Sequence, residues 1–143
     1  MRTLTCQIVR PDKLLYEGKA TSVILKARSG EIGVFPGHAA EICALGDGIM
    51  RIALPEGGEG PSERRVVISG GYAEVADDVV IVLATHARNI DDIEPEVVQR
   101  TRDKAVVQRD RLPKGDHGRA YYDDKVRWCD LLARASEKAA EAR

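Results

Sequence analysis

The chain has 143 residues, 43% of them apolar and 31% charged, and a formal net charge of −1. This length fits one sizeable domain, or one domain with a helical appendage, but not two full cores. The near-neutral charge and an aromatic content of 4% argue against a nucleic-acid-binding protein, which would carry a domain-wide basic excess and aromatic platforms for bases.

No apolar run approaches the ~18 residues needed to cross a bilayer, so we expect contact with a membrane only through a partner protein. The N-terminus lacks the basic start, long apolar middle and cleavage site of a signal peptide, which predicts a chain that stays in the cytoplasm. Cys6, Cys43 and Cys129 are far apart and odd in number, unlike the cysteines of a metal site or a disulfide framework. We expect buried free thiols.

The chain from Leu4 to about Ala84 consists of short apolar runs separated by turn residues. In the first run, Leu4, Cys6 and Ile8 alternate with more polar residues, which predicts a half-buried strand. Many short strands without intervening helices favour an antiparallel sandwich or barrel. The predicted strands are Leu4–Val9, Leu14–Tyr16, Ser22–Ala27, Ile49–Leu54, Arg65–Ile68, Tyr72–Val75 and Val79–Leu83.

Two helices are predicted in the remaining chain. The first runs from Pro95 to Leu112, because acidic residues precede a proline that suits the first turn of a helix. After a break at Pro113–Gly118, the second runs from about Arg119 to Ala139 or beyond, and the pair forms an antiparallel hairpin. The fold class is therefore α+β: an N-terminal antiparallel β-sandwich (residues 1–88) followed by a C-terminal α-helical hairpin (residues 89–143).

The two helices differ in the faces that they are expected to bury. The first has a weakly apolar face formed by Val98, Thr101, Ala105, Gln108 and Leu112. The second has a wider face with two stripes: Tyr122, Val126, Cys129, Ala133, Ser136 and Ala140, and beside them Tyr121, Lys125, Trp128, Leu132, Ala135 and Ala139. Its opposite side carries Arg127, Asp130, Arg134, Glu137 and Lys138. We interpret Trp128 as an anchor of helix packing rather than a cofactor contact.

The segment Gly30–His38, with sequence GEIGVFPGH, is rich in turn residues, and its apolar members Ile32, Val34 and Phe35 are expected to contact the core. It closely resembles the signature of epsilon subunits of bacterial F-type proton-translocating ATP synthases. The stretch Ser69–Ala84 resembles the second sandwich hairpin of that family. Because order, spacing and length also agree, the resemblance covers nearly the whole chain.

The resemblance implies a non-catalytic subunit of the rotor, the central stalk that links the gamma subunit to the c-ring for proton-driven ATP synthesis. Glu31 and His38 would then be polar contacts to the c-ring, although from residue type alone they also fit solvated loop positions. An apolar patch outside the sandwich would bind gamma, but the sequence does not identify its residues. The implied location is the cytoplasmic face of the cell membrane, as a peripheral part of the complex.

For the hairpin, the resemblance implies two positions, one folded on the sandwich and one extended toward the catalytic alpha and beta subunits, where it can inhibit ATP hydrolysis. Such a switch requires small energy differences between two arrangements, and a weakly apolar helix suits it. Lys125, Arg127, Arg134 and Lys138 would pair with acidic groups of the catalytic subunits. An ordinary solvated helix face is the alternative.

One departure concerns nucleotide binding. Many bacterial relatives carry an Ile/Leu–Asp–x–x–Arg–Ala motif that binds ATP, whereas here Ile93–Val98 reads IEPEVV, with Glu94 at the aspartate position and Val97 at the arginine position. The glycine-rich stretch Gly57–Gly60 is acidic and lacks the pattern of a phosphate-binding loop. We expect no cofactor, and weak or absent ATP binding.

An enzyme is the first alternative reading. His38, His86, His117 and Cys43 form no recognisable catalytic constellation, and we expect neither catalytic residues nor a metal site. The second alternative is an unrelated binding module with the same layout. Co-purification with gamma, alpha and beta subunits distinguishes that module from an epsilon subunit.

Overall fold

The computed structural model describes residues 2–60 and 62–141, and its backbone forms two compact units, Met1–Asn89 and Ile90–Arg143. The first unit is built from strands and the second from helices, so the expected fold class is confirmed. The strands are β1 (Leu4–Val9), β2 (Leu14–Ala20), β3 (Ser22–Ala27), β4 (Gly30–Val34), β5 (Glu41–Ala44), β6 (Gly48–Ala53), β7 (Glu63–Ala76) and β8 (Val79–Asn89). A 3-10 turn at Ile90–Asp92 precedes α1 (Pro95–Asp110) and α2 (Gly118–Glu141).

The strands are hydrogen-bonded in the order β2-β1-β8-β7-β6-β3-β4, and β5 pairs with β7. The predicted antiparallel pairing holds for every neighbouring pair except β1 and β8, which are parallel. Parallel neighbours need a long connection. Here the six intervening strands supply it, and no local pattern in the sequence reveals that pair.

β7 is a single strand, whereas the sequence predicts two strands separated by Gly70 and Gly71. Its first half pairs with β6 and its second half with β5, while β8 follows it on the other side. Both glycines have positive φ angles, +69° and +103°. A Cβ atom at Gly71 would collide with the carbonyl oxygen of Leu83. The glycines therefore let one strand bend while its pairing continues.

The core of the first unit is apolar and continuous. The alternation predicted for β1 is confirmed, since Leu4, Cys6 and Ile8 are fully buried. Burying one such aliphatic side chain stabilises a fold by about 1.5–3 kcal/mol. Other large side chains in this core are Val23, Leu25, Val34, Met50, Ile52, Val66, Val80 and Val82.

In the second unit, α1 begins with Pro95 as predicted and ends at Asp110, two residues before the predicted end. It buries only Val98 and Ala105. The predicted position Gln108 is exposed, so the buried face is narrower than the sequence indicates.

α2 buries Val126, Cys129, Leu131, Leu132, Ala135 and Ala139. Two residues of the predicted apolar face, Tyr121 and Ala140, are exposed, and Leu131, which the predicted stripes omit, is buried. Asp130, predicted on the opposite side, is only partly exposed. The carboxylate of Asp130 accepts a hydrogen bond from Arg102 of α1 at 2.6 Å. This ion pair joins residues 28 positions apart, so spacing along one helix cannot predict it.

The two helices run antiparallel and are linked by arginines. Arg102 contacts Asp130, and seven residues further along α1, Arg109 contacts Asp123 at 3.1 Å, seven residues earlier in α2. Arg119 at the start of α2 donates to the carbonyl oxygens of Arg109 at 2.9 Å and Leu112 at 2.8 Å. The Arg109 carbonyl also accepts the Leu112 N–H at 3.1 Å, and the guanidinium adds a side-chain cap to these carbonyls at the end of α1.

Candidate functional site

The turn after β4, Phe35–His38, presents the histidine that the sequence singles out. Pro36 and Gly37 occupy its two central positions, Gly37 has φ +86°, and the His38 N–H donates to the Phe35 carbonyl at 3.1 Å. Proline followed by a glycine with positive φ is the signature of a type II turn. The turn therefore depends on Gly37 in a conformation that other residues rarely adopt.

Asp78 holds this turn from the β7–β8 hairpin. Its Oδ1 accepts the Gly37 N–H at 2.7 Å, and its Oδ2 accepts a hydrogen bond from Arg2 at 2.9 Å. The Gly37 N–H, followed by the Arg2 guanidinium, holds the pKa of Asp78 below its ordinary value. Asp77 and Asp78 both have positive φ, as expected for a two-residue hairpin turn.

The His38 ring lies between two oxygen atoms. Its Nδ1 lies 2.7 Å from the Ala39 carbonyl oxygen, and its Nε2 lies 3.7 Å from a carboxylate oxygen of Glu41. Because a carbonyl oxygen only accepts, Nδ1 carries a proton in this arrangement. The side chain is 24% exposed, so the ring remains accessible to a partner.

Glu31 lies elsewhere. It is the second residue of β4 and pairs with Lys26 near the β3–β4 turn, whereas His38 lies four residues beyond the other end of that strand. The Glu31 carboxylate accepts a hydrogen bond from Arg51 at 3.2 Å. The two residues that the resemblance groups together thus occupy two separate positions on the unit.

Phe35 corrects one prediction. Its place in an apolar run predicts a core position, but the side chain is 58% exposed, while Val34 is fully buried and Ile32 is partly buried. The alternation of β4 explains this, because the residue after an inward-facing valine faces outward. An exposed aromatic side chain therefore accompanies His38 at the turn.

The resemblance implies an apolar surface on the sandwich whose residues the sequence does not identify, and the strand register gives a candidate. Val9 lies opposite Leu14 on β2 and Leu83 on β8, and Leu83 lies opposite Tyr72 on β7. Register partners share a face of a sheet. Ile42 lies on β5 two residues before Ala44, the partner of Tyr72. We call the surface formed by Leu14, Val9, Leu83, Tyr72 and Ile42 the outer patch.

Four of the five side chains in the outer patch are more than half exposed, although all four are large and apolar or aromatic. Leu14 is 52% exposed, Leu83 53%, Tyr72 61% and Ile42 72%. Single exposed apolar residues are ordinary on protein surfaces, whereas apolar side chains grouped on neighbouring strands are typical of interaction sites. Leu14, Val9, Leu83 and Tyr72 are successive register partners on four strands, and Ile42 lies beside them on β5, opposite Glu74. This signal depends on strand pairing, so the sequence alone could not reveal it.

The basic residues predicted in α2 divide into two groups. Arg127, Arg134 and Lys138 are exposed, and their spacing of seven and four residues puts them on one face of the helix. Arg127 also donates to Asp124 at 2.9 Å. Lys125, two residues before Arg127, faces another direction and lies 5.8 Å from the centre of the Tyr121 ring.

The start of α1, which aligns with the ATP-binding motif of the resembled family, has a mainly acidic lining. Glu94 and Glu96 line a shallow depression there with Arg100, so carboxylates outnumber the guanidinium. Val97, at the position of the motif arginine, is 40% exposed and uncharged. Acidic side chains suit the positive end of a helix dipole and would repel phosphate.

None of the three cysteines forms a disulfide bond. Cys6 and Cys129 are buried, as expected, whereas Cys43 is half-buried. Burial raises the pKa of Cys6 to about 12, which suppresses the reactive thiolate.

Among the residues that the structure describes, no three His, Cys, Asp or Glu side chains cluster in a way that could hold a metal ion. Over the same residues, neither helix combines the length and apolar character needed to cross a membrane.

The family model and the similar proteins found by comparison all belong to the same family. A family model described as ATP synthase, Delta/Epsilon chain, beta-sandwich domain matches residues 3–90. The ATP synthase epsilon chain of Nostoc sp. is 30% identical over 114 residues, which cover 80% of this chain and 81% of that protein. The epsilon chain of Acinetobacter baylyi is 35% identical over 105 residues, 73% of each chain.

Two solved structures share the fold. A chain of the Euglena gracilis mitochondrial ATP synthase, in an assembly of OSCP, F1 and c-ring, superposes with a TM-score of 0.62 at 23% identity, covering 96% of this chain and 81% of that chain. A chain of the central stalk and c-ring of the Tetrahymena thermophila enzyme gives a TM-score of 0.54 at 14% identity, with coverages of 94% and 97%.

Proposed function

This chain belongs to the epsilon subunits of ATP synthase, and from that membership we propose that it joins the gamma subunit to the c-ring in the rotating central stalk. It is a stalk subunit rather than a catalytic one. The observation that carries the proposal is the outer patch, since a stalk subunit must transmit torque through a non-covalent interface and therefore needs a large apolar contact. As part of the complex it would lie peripherally at the cytoplasmic face of the cell membrane.

Gamma is the proposed partner of the outer patch. Interface cores are rich in aromatic and aliphatic side chains and poor in charge, and tyrosine is a frequent energetic centre. Tyr72 lies in the middle of the row, between Leu83 on one side and β5 on the other. Gln7 on β1 and Glu74 on β7 are the register partners of Ile81 on β8, next to the patch. Polar side chains at such positions are typical of the rim of an interface.

Substitution tests this assignment. Leu83→Asp places a charge inside the patch and should weaken binding to purified gamma by about 30-fold or more. Val107→Asp in α1 is the matched control, because Val107 is 49% exposed and Leu83 is 53% exposed. Circular dichroism checks that both variants fold. Undiminished affinity of the Leu83→Asp variant for gamma would contradict the assignment.

The proposed c-ring contact uses the turn that carries His38 and, separately, Glu31. An accessible imidazole beside an exposed Phe35 offers both a polar and an apolar contact to the loops of a membrane ring. Glu31 already pairs with Arg51, so its contact would have to share or break that ion pair. We therefore expect His38→Ala to weaken c-ring binding more than Glu31→Gln does.

For the hairpin, we propose that Arg127, Arg134 and Lys138 contact acidic groups of the catalytic alpha and beta subunits and so inhibit ATP hydrolysis. Their common face gives them a single binding surface, which Lys125 does not share. Reversing these three charges to glutamate should raise ATP hydrolysis by the assembled enzyme, whereas Lys125→Glu should have a smaller effect.

Truncation tests inhibition more broadly. A chain ending at Asp92 keeps the unit that contains the outer patch and should still join the complex, while hydrolysis rises. Hydrolysis that is unchanged after truncation would show that the hairpin is passive.

ATP binding to this chain should be weak or absent, because Glu94 and Val97 replace the residues of the family motif and carboxylates dominate the start of α1. Isothermal titration with MgATP measures this directly. A micromolar dissociation constant would contradict the expectation.

Co-purification tests the assembly as a whole. Affinity capture of this chain from its own cells should recover gamma with the alpha and beta subunits. Recovery of none of them would remove the proposed function.

A further inference from the structure

The Phe35–His38 turn has one backbone group that the turn itself cannot satisfy. In a type II turn the N–H of the fourth residue closes the hydrogen bond, here from His38 to Phe35 at 3.1 Å. The N–H of the third residue, Gly37, points out of the turn and needs another acceptor. Asp78 supplies that acceptor at 2.7 Å.

The orientation of this N–H distinguishes two kinds of turn. Types I and II differ by a flip of the central peptide, which reverses the direction of the third residue's N–H. A carboxylate fixed on one side of the turn therefore favours the type II form. Asp78 is itself fixed, because it lies in the two-residue turn of the β7–β8 hairpin and its Oδ2 binds Arg2 at 2.9 Å.

We propose that Asp78 is a positioning residue for the c-ring contact: by accepting the Gly37 N–H, it holds the turn in the form that presents Phe35 and His38. This rests on the proposed function of the turn. Asp78 contacts no partner in this role, and it acts through Gly37. The link joins residues 41 positions apart, so it ties the exposed turn to the most extensively paired hairpin of the unit.

Substitutions at Asp78 separate the hydrogen bond from the charge. Asp78→Gly removes the acceptor while keeping a residue that adopts positive φ freely, so the hairpin turn is not strained. Asp78→Asn keeps an acceptor oxygen but loses the charge that Arg2 binds. Asp77→Gly is the matched control, because Asp77 is the other central residue of the same turn and also has positive φ, +51°.

The first measurement is nuclear magnetic resonance on the full chain. In Asp78→Gly the Gly37 amide resonance should move upfield and its hydrogen exchange should accelerate about tenfold, since a hydrogen bond to a charged acceptor is lost. Asp78→Asn should recover much of the protection, and Asp77→Gly should leave this amide unchanged. An unchanged Gly37 amide in Asp78→Gly would overturn the proposal.

The second measurement is the affinity of the gamma complex of each variant for detergent-solubilised c-ring. Asp78→Gly should raise the dissociation constant about tenfold, similar to His38→Ala, with Asp78→Asn closer to the parent. If His38→Ala weakens binding but Asp78→Gly does not, positioning by Asp78 is overturned while the c-ring contact stands. If neither variant weakens binding, the c-ring contact is overturned, and the positioning role with it.

Discussion

The sandwich and the hairpin of this chain are stabilised in different ways. The sandwich encloses a continuous apolar core, in which side chains such as Leu4, Ile8 and Ile52 are fully buried. α1 of the hairpin buries only Val98 and Ala105. It is joined to α2 by the ion pairs Arg102–Asp130 and Arg109–Asp123. Both pairs are partly exposed, and an ion pair in such a position contributes only about 0.2–1 kcal/mol.

This difference matches the division of labour that we propose. A body that transmits torque needs a core that resists deformation, and close-packed apolar interiors provide it. A regulatory arm that exchanges between two positions needs a small free-energy difference between them, and a helix with few buried side chains keeps that difference small. The comparison leads to four predictions, in order of decreasing effect.

The largest loss of stability should follow from a substitution at the bend of β7. Gly71→Ala should lower the free energy of unfolding by about 3 kcal/mol, because its φ of +103° is unfavourable for alanine and the new Cβ would collide with the Leu83 backbone. Urea unfolding measures the loss. Gly57→Ala is the control, since Gly57 has φ +89° but no atom lies within 4 Å of a Cβ added there. Equal losses for both variants would contradict this account.

A smaller effect should follow in the hairpin from Arg119→Ala. The guanidinium of Arg119 satisfies two carbonyls at the end of α1, so its removal should cost about 1–2 kcal/mol of local stability. Hydrogen exchange in the last turn of α1 should accelerate while exchange in the strands stays unchanged. Arg111→Ala, at an exposed arginine beside the same helix end, should have little effect. Acceleration in the strands of the Arg119→Ala variant would argue against a local role.

The Arg102–Asp130 pair should contribute less. The two side chains are 36% and 39% exposed, so we expect a coupling energy of about 0.5–1 kcal/mol that shrinks as salt is added. A double-mutant cycle with Arg102→Ala and Asp130→Ala, repeated at low and high salt, measures it. A coupling energy that does not change with salt would mean that packing, rather than charge, joins the helices here.

The smallest effect should follow from lowering the pH, which protonates Asp78 beside the Phe35–His38 turn. The pKa of Asp78 is lowered by the Gly37 N–H and then by Arg2. Because the folded pKa lies below the unfolded one, this contribution to stability is complete above the unfolded pKa and is lost as pH falls through the folded pKa. The Gly37 amide shift should therefore titrate with a midpoint below the ordinary value of 3.8 for an aspartate.

The Asp78→Asn variant is the control for this titration, since it has no carboxylate at that position. The other ionisable groups near the turn are Arg2, His38, Glu41 and Asp77. A midpoint at or above 3.8 in the parent chain would show that the Gly37 hydrogen bond does not stabilise the ionised form of Asp78.

The local residue pattern predicts features that depend on a single strand or helix. The alternation of Leu4, Cys6 and Ile8 predicts the buried face of β1, and Pro95 predicts the start of α1. The core position predicted for Phe35 is wrong, because continuing the alternation beyond Val34 points its ring outward. The short strand β5 carries no such alternation and was not predicted.

Other features had no local signal. Gly70 and Gly71 look like a break between strands, and only their pairing with β8 shows that β7 continues through them. The contacts of Glu31 and His38 with the c-ring stay predictions, although the structure separates the two residues. The link from Asp78 to Gly37 is equally invisible along the chain, since the two residues are 41 positions apart.

The sequence by itself determined that a region of strands precedes two helices, which face of β1 is buried, and the family through the Gly30–His38 signature. Only the tertiary structure decided which strands are neighbours, and hence that Val9, Leu83 and Tyr72 form one row, and which arginines link the helices. The physical reason is that periodicity along a segment records which side is buried. The partner of each segment is set by long-range pairing, in which residues far apart in the chain meet.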